Sequence, residues 1–126
     1  MLKLRMNVLL IIGLFSSESY AAAGDAFVRG QSLYQNRCMA CHSIDFNGIG
    51  PAHKGVFKRK VGQAADYSYS EALKRSEVIW SEKNLDKWLA NPEKFIPGQK
   101  MGFSVPNAKD RADLIVYLKK IGRAHV

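Results

Sequence analysis

Cysteine is almost missing from this 126-residue chain: there are two, Cys38 and Cys41, against 19 Lys and Arg and three His. A disulfide scaffold is thereby a poor explanation, because a bridge closing so small a loop constrains little of the unfolded chain. A zinc site would need two further ligands, and His42, His53 and His125 are the only histidines on offer. Long apolar runs are missing as well. Val8 to Phe15 covers about eight residues, well short of the ~20 that span a bilayer. No repeat or low-complexity tract appears. No strong strand precedes Cys38, so the strand-to-helix setting of a thioredoxin-like dithiol is lacking. Negative charge is scarce, and 11 acidic side chains leave a formal net charge of +8.

What is present centres on Cys38-Met39-Ala40-Cys41-His42. A bare C-x-x-C is ambiguous between a redox dithiol, half a zinc site and a haem tether. The adjacent histidine narrows it, since C-x-x-C-H is the attachment signature of a c-type haem. Two thiols at this spacing can add across the vinyl groups on one porphyrin edge, and His42 is then held under the ring, where its imidazole can coordinate the iron.

The N-terminus predicts export. Lys3 and Arg5 form a basic stretch, Val8 to Phe15 an apolar one, and Ala21-Ala22-Ala23 offers an A-x-A cleavage site. Residues 1–23 are therefore expected to be a signal peptide, leaving one domain over 24–126 in the periplasm. Cleavage after Ala21 is also permitted, and an uncleaved anchor is the alternative.

Within 24–126, Asp25 can cap a helix to about Arg37, with Phe27, Gly30, Leu33 and Tyr34 on one stripe. A mid-helix Gly costs about 1 kcal/mol against Ala, so Gly30 calls for a close helix crossing. Ser43 to Lys60, with Asn47, Gly48, Gly50, Pro51 and Gly55, reads as loop, and Gly62 to Tyr69 is also irregular. A short helix is expected from Ser70 to about Arg75. Ser81 can cap another, ending near Asn91 because Pro92 cannot continue it, with Leu85, Trp88 and Leu89 as its apolar face. Asn107 with Asp110 resembles a capping box opening the last helix, where Leu114, Leu118 and Ile121 share a face beside Tyr117, and Gly122 stops it. The fold class is all-α. So much irregular backbone leaves little interior, which a flat apolar macrocycle bound at the centre would supply.

Across nearly all of this domain the residues are similar to the class I cytochromes c, soluble His/Met electron carriers. The matching pieces are Gly24-Asp25, Gly30, Tyr34, the Cys38–His42 motif, Gly50-Pro51 and Gly55-Val56-Phe57-Lys58-Arg59-Lys60. They continue through Tyr69, Trp80, Trp88-Leu89-x-Asn91-Pro92, Phe95-Ile96-Pro97-Gly98-x-Lys100-Met101-x-Phe103 and Asp113-Leu114-Ile115-x-Tyr117-Leu118. The resemblance implies a cytochrome c fold, three main and one or two short helices with loops wrapped around one covalent haem c.

It also implies roles. Alone, Met101 reads more readily as apolar filler than as a ligand; with Pro97-Gly98-x-Lys100 before it, it resembles the distal thioether ligand opposite His42. Pro51 resembles the carbonyl that accepts a hydrogen bond from the proximal imidazole. Arg59, Tyr69 and Trp80 resemble the partners of the haem propionates, and Trp88 and Phe103 complete the expected pocket. Trp88 stands where a Tyr is common, Leu73 and Gln99 where Asn and Thr are, and His53 where a Leu packs on the macrocycle, a wall residue in this reading. The loop from His42 to Pro51 is shorter than in mitochondrial members, which favours a bacterial protein.

Two strong axial ligands leave no open iron position, so the resemblance implies a one-electron shuttle, not an enzyme. A haem peroxidase or gas-binding protein would need an open distal site. A dedicated electron-accepting subunit of a periplasmic dehydrogenase is the alternative. Removing Lys3, Arg5 and Glu18 with the leader leaves +7. Arg37, Lys94, Lys100 and Lys109 are candidates for a cationic ring, interrupted by Glu93. Such a ring would steer a monomer onto the acidic face of an oxidase, a quinol-oxidising complex or a dehydrogenase. Nucleic acid is not an expected partner, and anionic membrane surface is a minor one.

Overall fold

Capping side chains decide where most of the helices begin. The computed structural model describes residues 17–121, and among them five helices: α1 (Ser17–Arg37), α2 (Glu71–Arg75), α3 (Glu82–Ala90), α4 (Pro92–Phe95) and α5 (Ala108–Lys120). Asn107 Oδ1 accepts from the Asp110 N–H at 3.0 Å, Ser81 Oγ from Asn84 at 3.1 Å, and Ser70 Oγ from Leu73 at 3.3 Å. Each satisfies an N–H that the first helical turn leaves unpaired, worth about 1 kcal/mol. Pro92 ends α3 as expected. It also stands in the first turn of α4, where a missing N–H costs nothing, and Asn91 caps that turn by accepting from Lys94 at 3.0 Å.

One boundary differs. Asp25 does not start α1 but lies inside it, because Ala21-Ala22-Ala23 are strong helix formers and carry the helix back to Ser17. Lys3, Arg5 and Val8 to Phe15 of the expected signal, and Gly122 and His125, lie outside the described residues. No helix among the described residues is long and apolar enough to cross a membrane.

The α1/α5 crossing closes the two ends of the chain on one another. Gly30 is buried there, and a Cβ on it would overlap the Asp113 carbonyl oxygen and stand 3.0 Å from Tyr117 Cβ. Only glycine lets the backbones approach so closely. Around the contact, Tyr34 packs on Tyr117 with ring centroids 5.1 Å apart, and Phe27 on Tyr117 at 5.4 Å. The buried Asp113 carboxylate receives Arg29 Nε at 2.8 Å and Lys109 Nζ at 2.8 Å. The Arg29 guanidinium, with Lys109, holds that carboxyl below the usual carboxylate range against the opposing effect of burial.

From this crossing the core continues through Leu114 and Leu118 to Leu85, Trp88 and Leu89 on α3. Trp80 and Trp88 meet edge to face, with centroids 5.4 Å apart. The only ladder-like pairing among the described residues is an isolated antiparallel bridge between Lys60 and Ile79. Flanking bonds from Trp80 N–H to Arg59 O, 2.9 Å, and from Lys58 N–H to Trp80 O, 2.8 Å, set Arg59 and Trp80 side by side.

Candidate functional site

The Cys38–His42 segment is a tight turn on the end of α1. Cys38 and Met39 N–H both donate to the Tyr34 carbonyl, at 2.9 and 3.2 Å, and Cys41 and His42 N–H both donate to the Cys38 carbonyl, at 3.1 and 2.9 Å. The i→i+3 closure puts Cys38 and Cys41 on one side of the turn. Neither thiol is bridged. Cys38 is part-buried against the core, and burial pushes its thiol up to about 11 despite the neighbouring Arg37. Cys41 is exposed.

The loop that follows folds back on this turn. Gly50 N–H donates to Cys41 O at 2.8 Å, His53 N–H to Ser43 O at 2.9 Å, and Lys54 N–H to Ile44 O at 2.8 Å. Asn47 accepts from Ala52 N–H at 2.8 Å and donates to Ala65 O at 2.9 Å, and the Tyr67 hydroxyl donates to Ile49 O at 2.7 Å. These bonds carry the Pro51 carbonyl to 2.8 Å from His42 Nδ1. A carbonyl can only accept, so Nδ1 carries the proton and Nε2 keeps its lone pair for a metal. Burial lowers the His42 pKa, and the Pro51 contact opposes the shift only in part. Gly50 packs on the ring so closely that a Cβ there would lie 2.5 Å from Nδ1. His53 stacks on it, with centroids 4.0 Å apart and planes at 21°.

Arg59 spends two donors on the same loop, NH1 to Lys54 O at 3.0 Å and NH2 to Ala52 O at 3.1 Å. Tyr69 is buried and its oxygen accepts from Ala64 N–H at 3.0 Å, leaving its own O–H to donate elsewhere. Trp80 and Trp88 are buried beside one another, whereas Phe103 is 44% exposed and stands outside the buried cluster.

Further along the chain the Met101 segment is held at both ends. Glu93, expected only as an interruption of surface charge, turns its carboxylate back to accept from Gly98 N–H at 3.0 Å and from Gln99 Nε2 at 3.3 Å. Gln99 in turn accepts from the Met101 N–H. Downstream, Val105 N–H donates to Leu89 O at 2.7 Å, and Arg111 donates to the Val105 and Pro106 carbonyls at 2.9 and 2.8 Å while pairing with Asp86 at 2.6 Å. Met101 itself is part-buried against the core. Sequence reasoning missed Glu93, Gln99 and Arg111 as loop holders. For Glu93 and Gln99 the only sequence signal is a carboxylate and an amide flanking Pro97-Gly98, where backbone groups need side-chain partners; Arg111 has none.

Of the four candidate docking cations, Arg37 pairs with Asp110 at 3.0 Å and Lys109 with Asp113 at 2.8 Å. Lys94 and Lys100 are exposed.

The donor set suits a c-type haem: two unbridged thiols on one side of a turn, a histidine whose free nitrogen is fixed by its tautomer, and a thioether on a braced loop. The comparisons agree. The family model "Cytochrome c" matches residues 27–122. A cytochrome c of Gibberella zeae is 44% identical over 101 residues, 77% of this chain and 95% of that protein. One from Euglena viridis is 42% identical over 101 residues, 78% of this chain and 98% of that protein. The solved structure of cytochrome cH from Methylobacterium extorquens superimposes with a TM-score of 0.71 at 41% identity, covering 74% of this chain and 96% of that one.

Proposed function

Because the chain belongs to the cytochrome c family, electron-transfer proteins that carry covalently bound haem c, we propose that it is a periplasmic one-electron carrier. In this reading Cys38 and Cys41 would hold the haem through thioether bonds, and His42 and Met101 would supply the protein ligands to its iron. When bound, the haem supplies the one-electron couple between ferrous and ferric iron.

The observation that carries the reading is the 2.8 Å contact between His42 Nδ1 and the Pro51 carbonyl. It fixes the tautomer that a metal-binding imidazole requires, and it raises ligand basicity. The chain's own part is to keep this environment constant between oxidation states. The hydrogen bonds among residues 41–54 hold His42, Glu93 and Gln99 hold the approach to Met101, and Arg111 holds its exit. A rigid frame lowers the reorganisation that accompanies each electron. Tyr69 O–H, the Trp80 indole and the remaining Arg59 donors are available to the haem propionates, which are costly to bury unpaired. Trp88, buried beside Trp80, would complete the pocket wall, whereas Phe103 stands 44% exposed.

The partner is a redox protein with an acidic docking face, met by Lys94 and Lys100 near the Met101 segment. An optical redox titration of protein made together with haem-attachment machinery tests the whole reading. It should show covalent low-spin haem, a ferric far-red band from iron–sulfur ligation, and a clearly positive potential. A wild-type protein without that band removes Met101 as the ligand.

A further inference from the structure

His53 stands beside His42 with its ring almost parallel, centroids 4.0 Å apart and planes at 21°. Its Nδ1 lies 3.0 Å from the Tyr34 hydroxyl oxygen. Tyr34 is 1% exposed, so its O–H needs an acceptor, and Nδ1 supplies it. The lone pair of His53 Nδ1 is therefore committed to Tyr34 and is not available to a metal. This geometry argues against His53 as an alternative ligand. It also argues against a mere wall residue, because the ring is fixed from several directions. Tyr34 Oη holds its edge, its backbone N–H bonds Ser43 O at 2.9 Å, and the Tyr34 ring packs edge-on against it with centroids 5.6 Å apart. Tyr34 is itself wedged against Tyr117 at the α1/α5 crossing.

We propose that His53 is a positioning residue that sets the rotational orientation of the His42 imidazole. The Pro51 carbonyl fixes which nitrogen of His42 carries the proton and the Gly50 backbone closes on the ring, yet the Cβ–Cγ torsion of histidine is intrinsically broad. A planar partner at stacking distance restrains that torsion where an aliphatic side chain would only fill space. The aromatic series Tyr117–Tyr34–His53–His42 thus ties the helix crossing to the ring plane of the ligand.

The inference rests on His42 being the axial ligand, and the test separates the two ideas. In the ferric holoprotein, the spread and order of the haem-methyl proton shifts report the orientation of the axial imidazole plane. His53→Phe keeps a stacking ring and loses the acceptor for Tyr34; His53→Gln keeps an acceptor and loses the ring. The methyl pattern of His53→Phe should stay near the wild type, and that of His53→Gln should be redistributed. Thermal melts should run the other way, with His53→Phe the less stable because a buried hydroxyl is orphaned. An unchanged pattern in His53→Gln, or an equal change in both variants, overturns the positioning role. A wild-type protein lacking low-spin haem ligated by His42 instead overturns the ligand reading, and does so before either variant is made.

Discussion

A methyl group added at Gly30 would meet the backbone of α5, where nothing can swing aside. The added Cβ would overlap the Asp113 carbonyl oxygen and crowd Tyr117 Cβ at 3.0 Å. On helix propensity alone, Gly30→Ala should stabilise by about 1 kcal/mol. Against that, an ordinary carbon–oxygen contact needs about 3.3–3.6 Å, so the helices must part by roughly an ångström. A gap of that size forfeits about a quarter to a half of the dispersion attraction across the contact. The side chains affected, Tyr34, Leu114 and Tyr117, are at most 5% exposed, so the loss is not recovered from solvent. Overpacking of this kind costs about 1–3 kcal/mol or more, and an immovable carbonyl puts the site at the upper end. The net expectation is a loss of about 2–3 kcal/mol, or a fall in Tm of roughly 10–20 °C for a domain of this size. Guanidinium unfolding of the holoprotein followed by far-UV circular dichroism measures it, with the midpoint moving and the slope unchanged. A variant as stable as the wild type, or more stable, would mean that propensity decides the site and that the crossing is looser than the structure has it.

Three further outcomes follow from the same contacts. Met101→Ala should abolish the ferric far-red band and lower the potential; a variant that keeps both is incompatible with sulfur ligation and reopens the question of an open distal site. Asp113 titrates below its ordinary value of 3.8 because of Arg29 and Lys109, so its contribution is complete above that value and disappears as the pH falls through the lowered one. Asp113→Asn should cost roughly 1–2 kcal/mol at neutral pH, since both cations keep much of their solvent, and should flatten the acid limb of a stability–pH curve; an acid limb identical to the wild type's would locate the titration elsewhere. Glu93→Ala removes the acceptor for Gly98 and Gln99 at about 1 kcal/mol. Imidazole should therefore displace the Met101 sulfur about fivefold more readily by optical titration, with the global unfolding midpoint almost unmoved.

The parts of this fold that were legible in the sequence are those in which one residue settles the fate of its near neighbours. Asn107 and Ser81 bind N–H groups three residues on, so a cap can be read from a window of four. Gly30 was legible for a different reason: a helix-weakening residue inside a helix demands a tertiary cause, and the crossing supplies it. The Tyr34–His53 contact spans 19 residues through irregular backbone, and no periodicity connects the two positions. Glu93 looked like a solvated charge because its fold-back onto Gly98 depends on loop geometry that propensity does not encode. Arg37 and Lys109 looked free for a partner, yet each has an acidic neighbour on α5.

The two halves of the candidate site are therefore held by different means. His42 is held by a part-buried bond to Pro51 within one loop and by ring contacts that reach the core through Tyr34. The approach to Met101 is held by Glu93 and Gln99, whose bonds to residues 98–101 are mostly solvent-exposed. Exposed hydrogen bonds with few apolar contacts behind them define the segments that open at the lowest free energy. His42 thus belongs to the part of the domain tied to the core, while Met101 sits on the part that can open alone. Substitutions at the helix crossing should then change how stable the protein is, and substitutions between Glu93 and Met101 should change how readily the Met101 segment opens.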